Sequence, residues 1–435
     1  MTLPAMHPAT HSMPAPHALA RRFIDVRARS LALAAPLSAE DAMVQSMADT
    51  SPTKWHLAHS TWFFETFVLG ALANHAPFNS DWAVLFNSYY QSVGPMHSRP
   101  HRGLLSRPTL AQVLDYRHAI DARMHDAFAR DAFDTDLLQR IELGLHHEQQ
   151  HQELLLTDIK HAFWCNPLRP AYSDAPIPAS HAAARGWIEH GEAVIEIGAP
   201  AWPADTDAFA FDSESPRHRV LVPAHAIATT LVTNADAQAF IDDGGYVTHS
   251  LWLSAGWARV QDEGWSAPLY WDADAGTHFT LHGTQPIDPL APACHLSYFE
   301  ADAIARWAGA RLPTEAEWEQ AVRGVDILED EPEALNPRSI TDPGAQHAHD
   351  TAQAMRDMFG AVWQWTSSAY TPYPRFAPMP GALGEYNGKF MCGQWVLRGS
   401  SIATPPAHAR ATYRNFFNPP DRWQFSGLRL ARDAT

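Results

Sequence analysis

Residues 137–155 read LLQRIELGLHHEQQHQELL, and this stretch decides the fold of the first third of the chain. Leu137, Ile141, Leu145 and Leu155 gather on one side of an α-helix while Gln, Glu and Arg fill the rest, and the amphipathic pattern extends over 134–164. A stripe of that length needs partner helices to cover it, and the sequence supplies three. Arg21–Leu33 carries Phe23, Val26, Leu31 and Leu33 at helical intervals. Ser51-Pro52 opens a segment, with Pro at its first helical position, in which Trp55, His59, Trp62, Phe63 and Thr66 share one face. Residues 109–130 read as another helix, and Ser38 followed by Asp41 predicts a further helix start. Four helices joined by short or ordered connections predict a four-helix bundle.

Outward from the bundle the pattern changes. Residues 1–16, rich in Pro, His and Met, predict a disordered arm, and the bundle occupies 17–165. Within it, Pro77–Pro108 carries Tyr89, Tyr90 and several Arg and Pro, which predicts a long functional loop rather than a helix. The Pro/Ala-rich run 166–184 predicts a linker. From 185 to 435, short apolar stretches such as Ala193–Ile197 and Arg219–Val222 alternate with Gly, Pro, Asp and Trp, the pattern of an irregular α+β domain. Two helices are expected there, Thr233–Ile241 and Tyr298–Ala308, followed by RLPTEAEWEQAV with a Thr314/Glu317 capping box. Twelve of the sixteen tryptophans lie after residue 185, so the two regions have different cores.

Composition narrows the function. A chain of 435 residues is too long for one ordinary core. Its net charge of −17 and lack of any Lys/Arg run argue against a nucleic-acid partner held by phosphate neutralisation. No stretch approaches the roughly 20 apolar residues of a membrane helix. The first residues lack a basic flank followed by an apolar run, and the three cysteines, Cys165, Cys294 and Cys392, lie far apart. A reduced, cytoplasmic protein is expected.

The 25 histidines include one chemically suggestive pair. His147 and His151 are four apart, so a helix presents both to one metal ion, while a polar face with two solvated histidines is the plainer alternative. The spacing HEQQH matches the zinc-protease pattern, which makes a zinc hydrolase with Glu148 as general base the competing reading. Against it, Leu154 and Thr157 stand where an extended protease motif needs Gly and His, and no Glu occurs between Glu153 and Glu189 to serve as a downstream ligand. A third ligand must come from another helix. His59, among Trp55, Trp62 and Phe63, is the best candidate, although a histidine on such a face is equally often a hydrogen-bonded core residue. Three neutral imidazoles suit zinc hydrolysis or an iron centre that binds substrate and O₂, and spacing does not choose between them.

Longer blocks carry a resemblance. WHLAHSTWFFETF, LFNSYYQSVG, RGLLSRPT and HHEQQHQE in the first region, with RLPTEAEWE, VWQWTSSAYTPYPRF, YNGKFMCGQWVLRG, ATYRNFF and RWQFSGLRLARD in the second, resemble the ergothioneine-pathway sulfoxide synthases over residues of about 20–433. The related selenoneine synthases belong to the same superfamily. The resemblance implies a DinB-like four-helix bundle followed by a formylglycine-generating-enzyme/sulfatase-modifying-factor-like (C-type-lectin-like) domain. It implies a non-haem Fe(2+) enzyme that uses O₂ to join a thiol or selenol donor to C2 of the imidazole of hercynine (Nα-trimethylhistidine).

Matched residue by residue, His59, His147 and His151 become a three-histidine iron site and Gln150 approaches hercynine. Asn415, Phe416 and Phe417 surround a trimethylammonium group, which cannot donate a hydrogen bond and suits dipoles and aromatic faces. Tyr89 and Tyr90 match a catalytic tyrosine pair able to give a proton to reduced oxygen. Of Arg99, Arg102 and Arg107, Arg102 is the foremost candidate to hold a donor carboxylate, with Arg99 beside it. The chain departs from the family pattern at Arg398–Ile402, at Gly360–Trp365 and around Asp205–Phe211. Phe417 replaces the acidic residue of the γ-glutamylcysteine-using branch, which favours cysteine or a selenosugar as donor. Cys294 and Cys392 are not spaced as the near pair of a copper-type formylglycine-generating site.

Overall fold

The computed structural model describes residues 16–181, 183–203, 208–327, 335–339 and 355–434. The expected N-terminal arm lies outside them apart from Pro16, as does 205–207 of the Asp205–Phe211 segment.

The first helices are α1 (Pro16–Ala34), α2 (Thr53–Phe67), α3 (Trp82–Phe86), α4 (Leu110–Ala129) and α5 (Thr135–Cys165). Two of the long ones, α4 and α5, start at a side-chain cap. Thr109 and Gln112 form a capping box for α4, and the Asp134 carboxylate accepts the Leu137 amide at the head of α5. Ser51-Pro52 does open α2, but Pro52 is its cap residue and Thr53 its first helical position. The Ser38–Asp41 signal yields only a single turn, Asp41–Met43, in which Asp41 and Ser38 bond each other. The 77–108 region is largely loop, with two departures: α3, where Trp82 and Phe86 pack on Tyr116, and a short turn over Arg99–Leu104.

The bundle core is aromatic. Phe23 of α1 meets Phe64 of α2 edge to face, and Phe63, Ile120, Ile141 and Leu145 complete the layer. One polar node ties all four long helices together. Arg27 of α1 donates to Thr61 of α2 (3.0 Å) and to Glu148 of α5 (3.0 Å), while Arg117 of α4 also donates to Glu148. Burial alone would push Glu148 up, but Arg117 and Arg27 bring it down to about 2.

Between α2 and α5 the helices touch at Gly144, where an added Cβ would come within 2.8 Å of the Phe63 and Phe64 rings. This close approach sets the distance between His59 and His147.

After α5, the chain from 166 crosses both halves without regular structure. Tyr172 donates its hydroxyl to Leu33 O and its amide to Leu281 O. Then follow β1 (Trp187–His190), β2 (Ala193–Ile197), β3 (His218–Val222), β4 (His225–Leu231), α6 (Asn234–Asp242), α7 (Ser254–Glu263), β5 (Trp271–Asp272), β6 (Thr277–Thr280), β7 (Gly283–Pro286), α8 (Tyr298–Trp307), α9 (Glu315–Ala321), β8 (Trp363–Ala369), β9 (Trp395–Arg398), β10 (Asn415–Phe417), β11 (Ser426–Gly427) and β12 (Arg429–Asp433). The strands make small sheets: β1-β4-β12, β10-β9-β8-β11, β2-β3 and β5-β6-β7. Thr233 and Thr314 cap α6 and α9 with capping boxes, and α7 is a helix the sequence reading missed. No described helix is long and apolar enough to cross a membrane.

The four-stranded sheet faces α5. A buried network in which Arg398 and Arg414 bond Glu315, and Arg398 also bonds Glu319, fixes the ends of β9 and β10. Trp363 of β8 donates to Glu153 of α5 (2.8 Å), and Gln149 donates to Pro406 O (3.0 Å). A cavity lies in this seam.

Candidate metal centre

His59 comes from α2, and His147 and His151 come from successive turns of α5. One ring nitrogen from each lies within 4.8 Å of the other two, the sole such cluster of His, Cys, Asp and Glu among the described residues. His59 and His147 approach through their Nε2 atoms, 3.2 Å apart. Two neutral nitrogens at that distance cannot both be donors, so at least one lone pair faces the shared point.

Hydrogen bonds behind the rings fix which nitrogen is free. His59 Nδ1 lies 2.6 Å from Phe86 O, an acceptor, so Nδ1 carries the hydrogen and Nε2 the lone pair. His56 Nε2 lies 3.1 Å from Asp158 Oδ2 and therefore donates there. His56 Nδ1 is then an acceptor, and His151 Nδ1, 2.9 Å away, must donate to it. That leaves the Nε2 lone pair of His151 free as well. Imidazoles backed by a carbonyl or carboxylate in this way are the usual arrangement around a bound metal. Burial pushes His59 and His151 well below the ordinary histidine range, with His147 nearby adding to both, and burial brings His147 down to about 4. All three are neutral at pH 7. The Nδ1 of His147 is buried and has no partner among the described residues. Three neutral nitrogens and no carboxylate fit a divalent first-row metal that keeps open positions.

Glu148, the general base of the hydrolase reading, does not join them. Its carboxylate is consumed by Arg27, Arg117 and Ser30 inside the bundle.

The cavity in front of the histidines is about 170 Å³ and is lined from both halves of the chain. It contains every residue that the sequence reading singled out as a site residue: Tyr89, Tyr90, Arg99, Arg102 and Gln150 from the first half, and Asn415, Phe416 and Phe417 from the second. Arg107, the third arginine of the group, is exposed and donates to Ser106 O (3.3 Å).

Tyr89 sits at φ 70°, a left-handed conformation that a bulky residue rarely adopts. The turn is held by Asn87, whose Nδ2 donates to Tyr90 O and Gly94 O, and by Lys389, which bonds Tyr89 O. The two phenols consequently diverge. Tyr89 packs on Tyr386 and Phe390 and accepts from Arg99 Nη1 (2.9 Å), whereas Tyr90 packs on Trp62 and Phe67. Burial pushes the Tyr90 phenol up, so it stays protonated at neutral pH.

Arg102 is buried with its guanidinium carbon 3.4 Å from the Trp55 ring centroid. Its Nη atoms donate to Ser51 Oγ (2.9 Å) and Ser88 Oγ (2.8 Å), and Nε has no partner. No carboxylate pairs with it among the described residues, and burial lowers it to about 9. A buried, uncompensated guanidinium at a cavity wall is an anion site in waiting.

Sequence reasoning missed four participants. His56 and Asp158 form the support behind His151; His56 stands three residues before His59, and Asp158 two helical turns after His151, so spacing alone could have found them. Glu153 places a carboxylate on the cavity wall with only neutral donors, Trp363, Ser401 and Thr404, and burial pushes it up against their effect. Tyr413, two residues before Asn415, accepts a hydrogen bond from Gln150 Nε2 (2.7 Å).

Two family models match successive parts of the chain. Residues 22–155 match the DinB superfamily, and residues 178–333 and 330–434 match the sulfatase-modifying factor enzyme 1-like domain. Over 442 residues the chain is 34% identical to a protein of Mycolicibacterium thermoresistibile described as hercynine oxygenase, covering 95% of this chain and 94% of that one. A protein of the same description from Mycobacterium tuberculosis is 33% identical, covering 97% of this chain and all of the relative. The formylglycine-generating enzyme of Streptomyces coelicolor is 29% identical and matches 60% of this chain.

Proposed function

The chain belongs to the hercynine oxygenase family, and from that premise we propose that it is an O₂-dependent non-haem iron enzyme joining a sulfur or selenium donor to C2 of the hercynine imidazole. The observation that carries the reading is the set of three neutral imidazoles whose free nitrogens converge on a cavity lined from both halves of the chain. On this reading 17–165 is the metal-holding bundle, 166–184 the linker and 185–435 the domain that completes the pocket. The reaction takes place in the reduced cytoplasm, consistent with three free cysteines.

A ferrous ion held by His59, His147 and His151 would supply O₂ activation and acidify a coordinating thiol or selenol. The chain's own residues do the rest. Gln150, Asn415, Phe416 and Phe417 bind hercynine. The trimethylammonium group takes the aromatic faces and the Glu153 carboxylate, which has no cation of its own among the described residues. Arg102, assisted by Arg99, holds an anionic group of the donor. Tyr90 keeps its proton at Oη until the reaction needs it, with Tyr89 as the second phenol of the pair, and the aromatic walls exclude bulk water. Phe417 contributes no charge, which favours cysteine or a selenosugar over γ-glutamylcysteine.

The test is direct. Iron-loaded protein and hercynine are incubated in air with cysteine, γ-glutamylcysteine or a selenosugar in parallel, and products are identified by mass spectrometry. A C2-linked sulfur or selenium adduct that requires O₂ and iron is expected. Turnover of a hydrolysable substrate by the zinc form under strict anaerobiosis, with no adduct in air, would overturn the proposal.

A further inference from the structure

Behind Tyr413 runs a chain of hydrogen bonds that leaves the cavity and reaches the outer edge of the bundle. Arg22 Nη2 of α1 lies 3.3 Å from His146 Nε2, His146 Nδ1 lies 3.1 Å from His408 Nδ1, and His408 Nε2 lies 3.3 Å from Tyr413 Oη. Gln150, one turn beyond His146 on α5, reaches the same Oη. The two imidazoles are buried; His146 stacks on Phe209 with ring centroids 3.8 Å apart, and His408 meets Tyr413 edge to face at 5.2 Å.

The polarity of this chain follows from its first member. A guanidinium can only donate. His146 Nε2 therefore accepts, and the ring hydrogen of His146 resides on Nδ1. His408 Nδ1 must accept that hydrogen, which puts the hydrogen of His408 on Nε2, facing Tyr413. Tyr413 Oη thus receives two donors, His408 and Gln150, and its own hydrogen is left for an acceptor in the cavity. Nearby, Asn415 Oδ1 is occupied by the Phe416 amide (2.9 Å), so its Nδ2 is also left to donate. Tyr413 and Asn415 thus each offer a donor to the cavity.

We propose that Arg22, His146 and His408 are positioning residues that hold Tyr413 as a hydrogen-bond donor to the carboxylate of the bound amino-acid betaine. The inference rests on the hercynine reading for the identity of the ligand, but the polarity of the chain does not. A betaine carries its carboxylate and its quaternary ammonium on one carbon. Donors at Tyr413 and Asn415 beside the Glu153 carboxylate and the Phe416 ring match that pair of opposite charges.

Two measurements test it. In protein loaded with zinc as a diamagnetic substitute, histidine ¹⁵N shifts, assigned with single-site variants, should report His146 protonated at Nδ1 and His408 at Nε2. The opposite tautomers would overturn the proposal. In iron-loaded protein without O₂, calorimetry should show hercynine binding at least about tenfold more tightly than its analogue lacking the carboxylate. Tyr413→Phe and His408→Phe should cut that preference by about five- to tenfold, while His408→Gln, whose amide can still donate to Tyr413, should keep it within about threefold. An undiminished preference in Tyr413→Phe would overturn the proposal. A wild-type protein with the assigned tautomers that binds no hercynine would instead overturn the functional reading, and the carboxylate assignment with it, while the polarity of the chain would stand.

Discussion

His56 Nδ1 and His151 Nδ1 lie 2.9 Å apart, and the hydrogen between them belongs to His151 because the other nitrogen of His56 is committed to Asp158. A side chain outside the three-histidine cluster thus decides which nitrogen of His151 is free. Removing such support typically lowers metal affinity about 10- to 100-fold. His56→Ala is expected to reduce the retention of iron or manganese by that factor in equilibrium dialysis. His56→Gln, whose carbonyl can still accept from His151, should lose less. Equal retention in wild type and His56→Ala would sink this assignment.

Gly144 makes a second, opposite kind of demand. Helix propensity alone would make Gly144→Ala stabilising by about 1 kcal/mol. The new methyl would instead press into Phe63 and Phe64 at 2.8 Å and push α2 away from α5. Overpacking of this kind costs about 1–3 kcal/mol. A lower melting temperature is therefore expected for Gly144→Ala, with a larger drop and a lower bound-metal stoichiometry for Gly144→Val, read by calorimetry and metal analysis.

Glu148 separates the oxidative reading from the hydrolytic one. With Arg27 and Arg117 against it, Glu148→Gln leaves two buried guanidinium groups undercompensated, a loss that typically costs about 3–5 kcal/mol. Urea denaturation should show that loss, while product formed per bound metal stays near wild type. A catalytic base would behave in reverse, with unchanged stability and abolished turnover.

The contrast between His147 and Glu148 also shows why part of the site was legible in sequence and part was not. Helical spacing put His147 and His151 on one face, and amphipathic periodicity located α4 and α5 to within a residue at each end, because both depend on local geometry. Spacing could not show that Glu148 turns inward to two arginines from other helices. Nor could it show that His59 comes to the same point as His147 and His151, which depends on the close packing of α2 on α5 at Gly144. Glu153 and Tyr413 went unread because their partners lie across 210 and 263 residues of sequence. The short helix α3 was missed because a long aromatic loop and a one-turn helix share the same composition.

Lys160 provides a pH test independent of the metal. It is buried on α5 with Nζ 2.5 Å from His295 Nε2 and against the Tyr270 and Phe425 rings, and burial lowers it to about 7. An unfolded lysine titrates near 10.4. Between these values the folded protein binds fewer protons than the unfolded chain, so stability rises with pH across that window. Below pH 7 both states are protonated and the penalty is complete, on the order of 5 kcal/mol. Lys160→Met keeps the length of the stem and removes the charge. It should raise the melting temperature most at pH 6, with the gain shrinking steadily towards pH 10 as wild type sheds its own penalty. A gain that is constant across pH 6–10 would mean that Lys160 is not titrating in the fold, and a loss at pH 6 would mean that its ammonium has an anionic partner in solution.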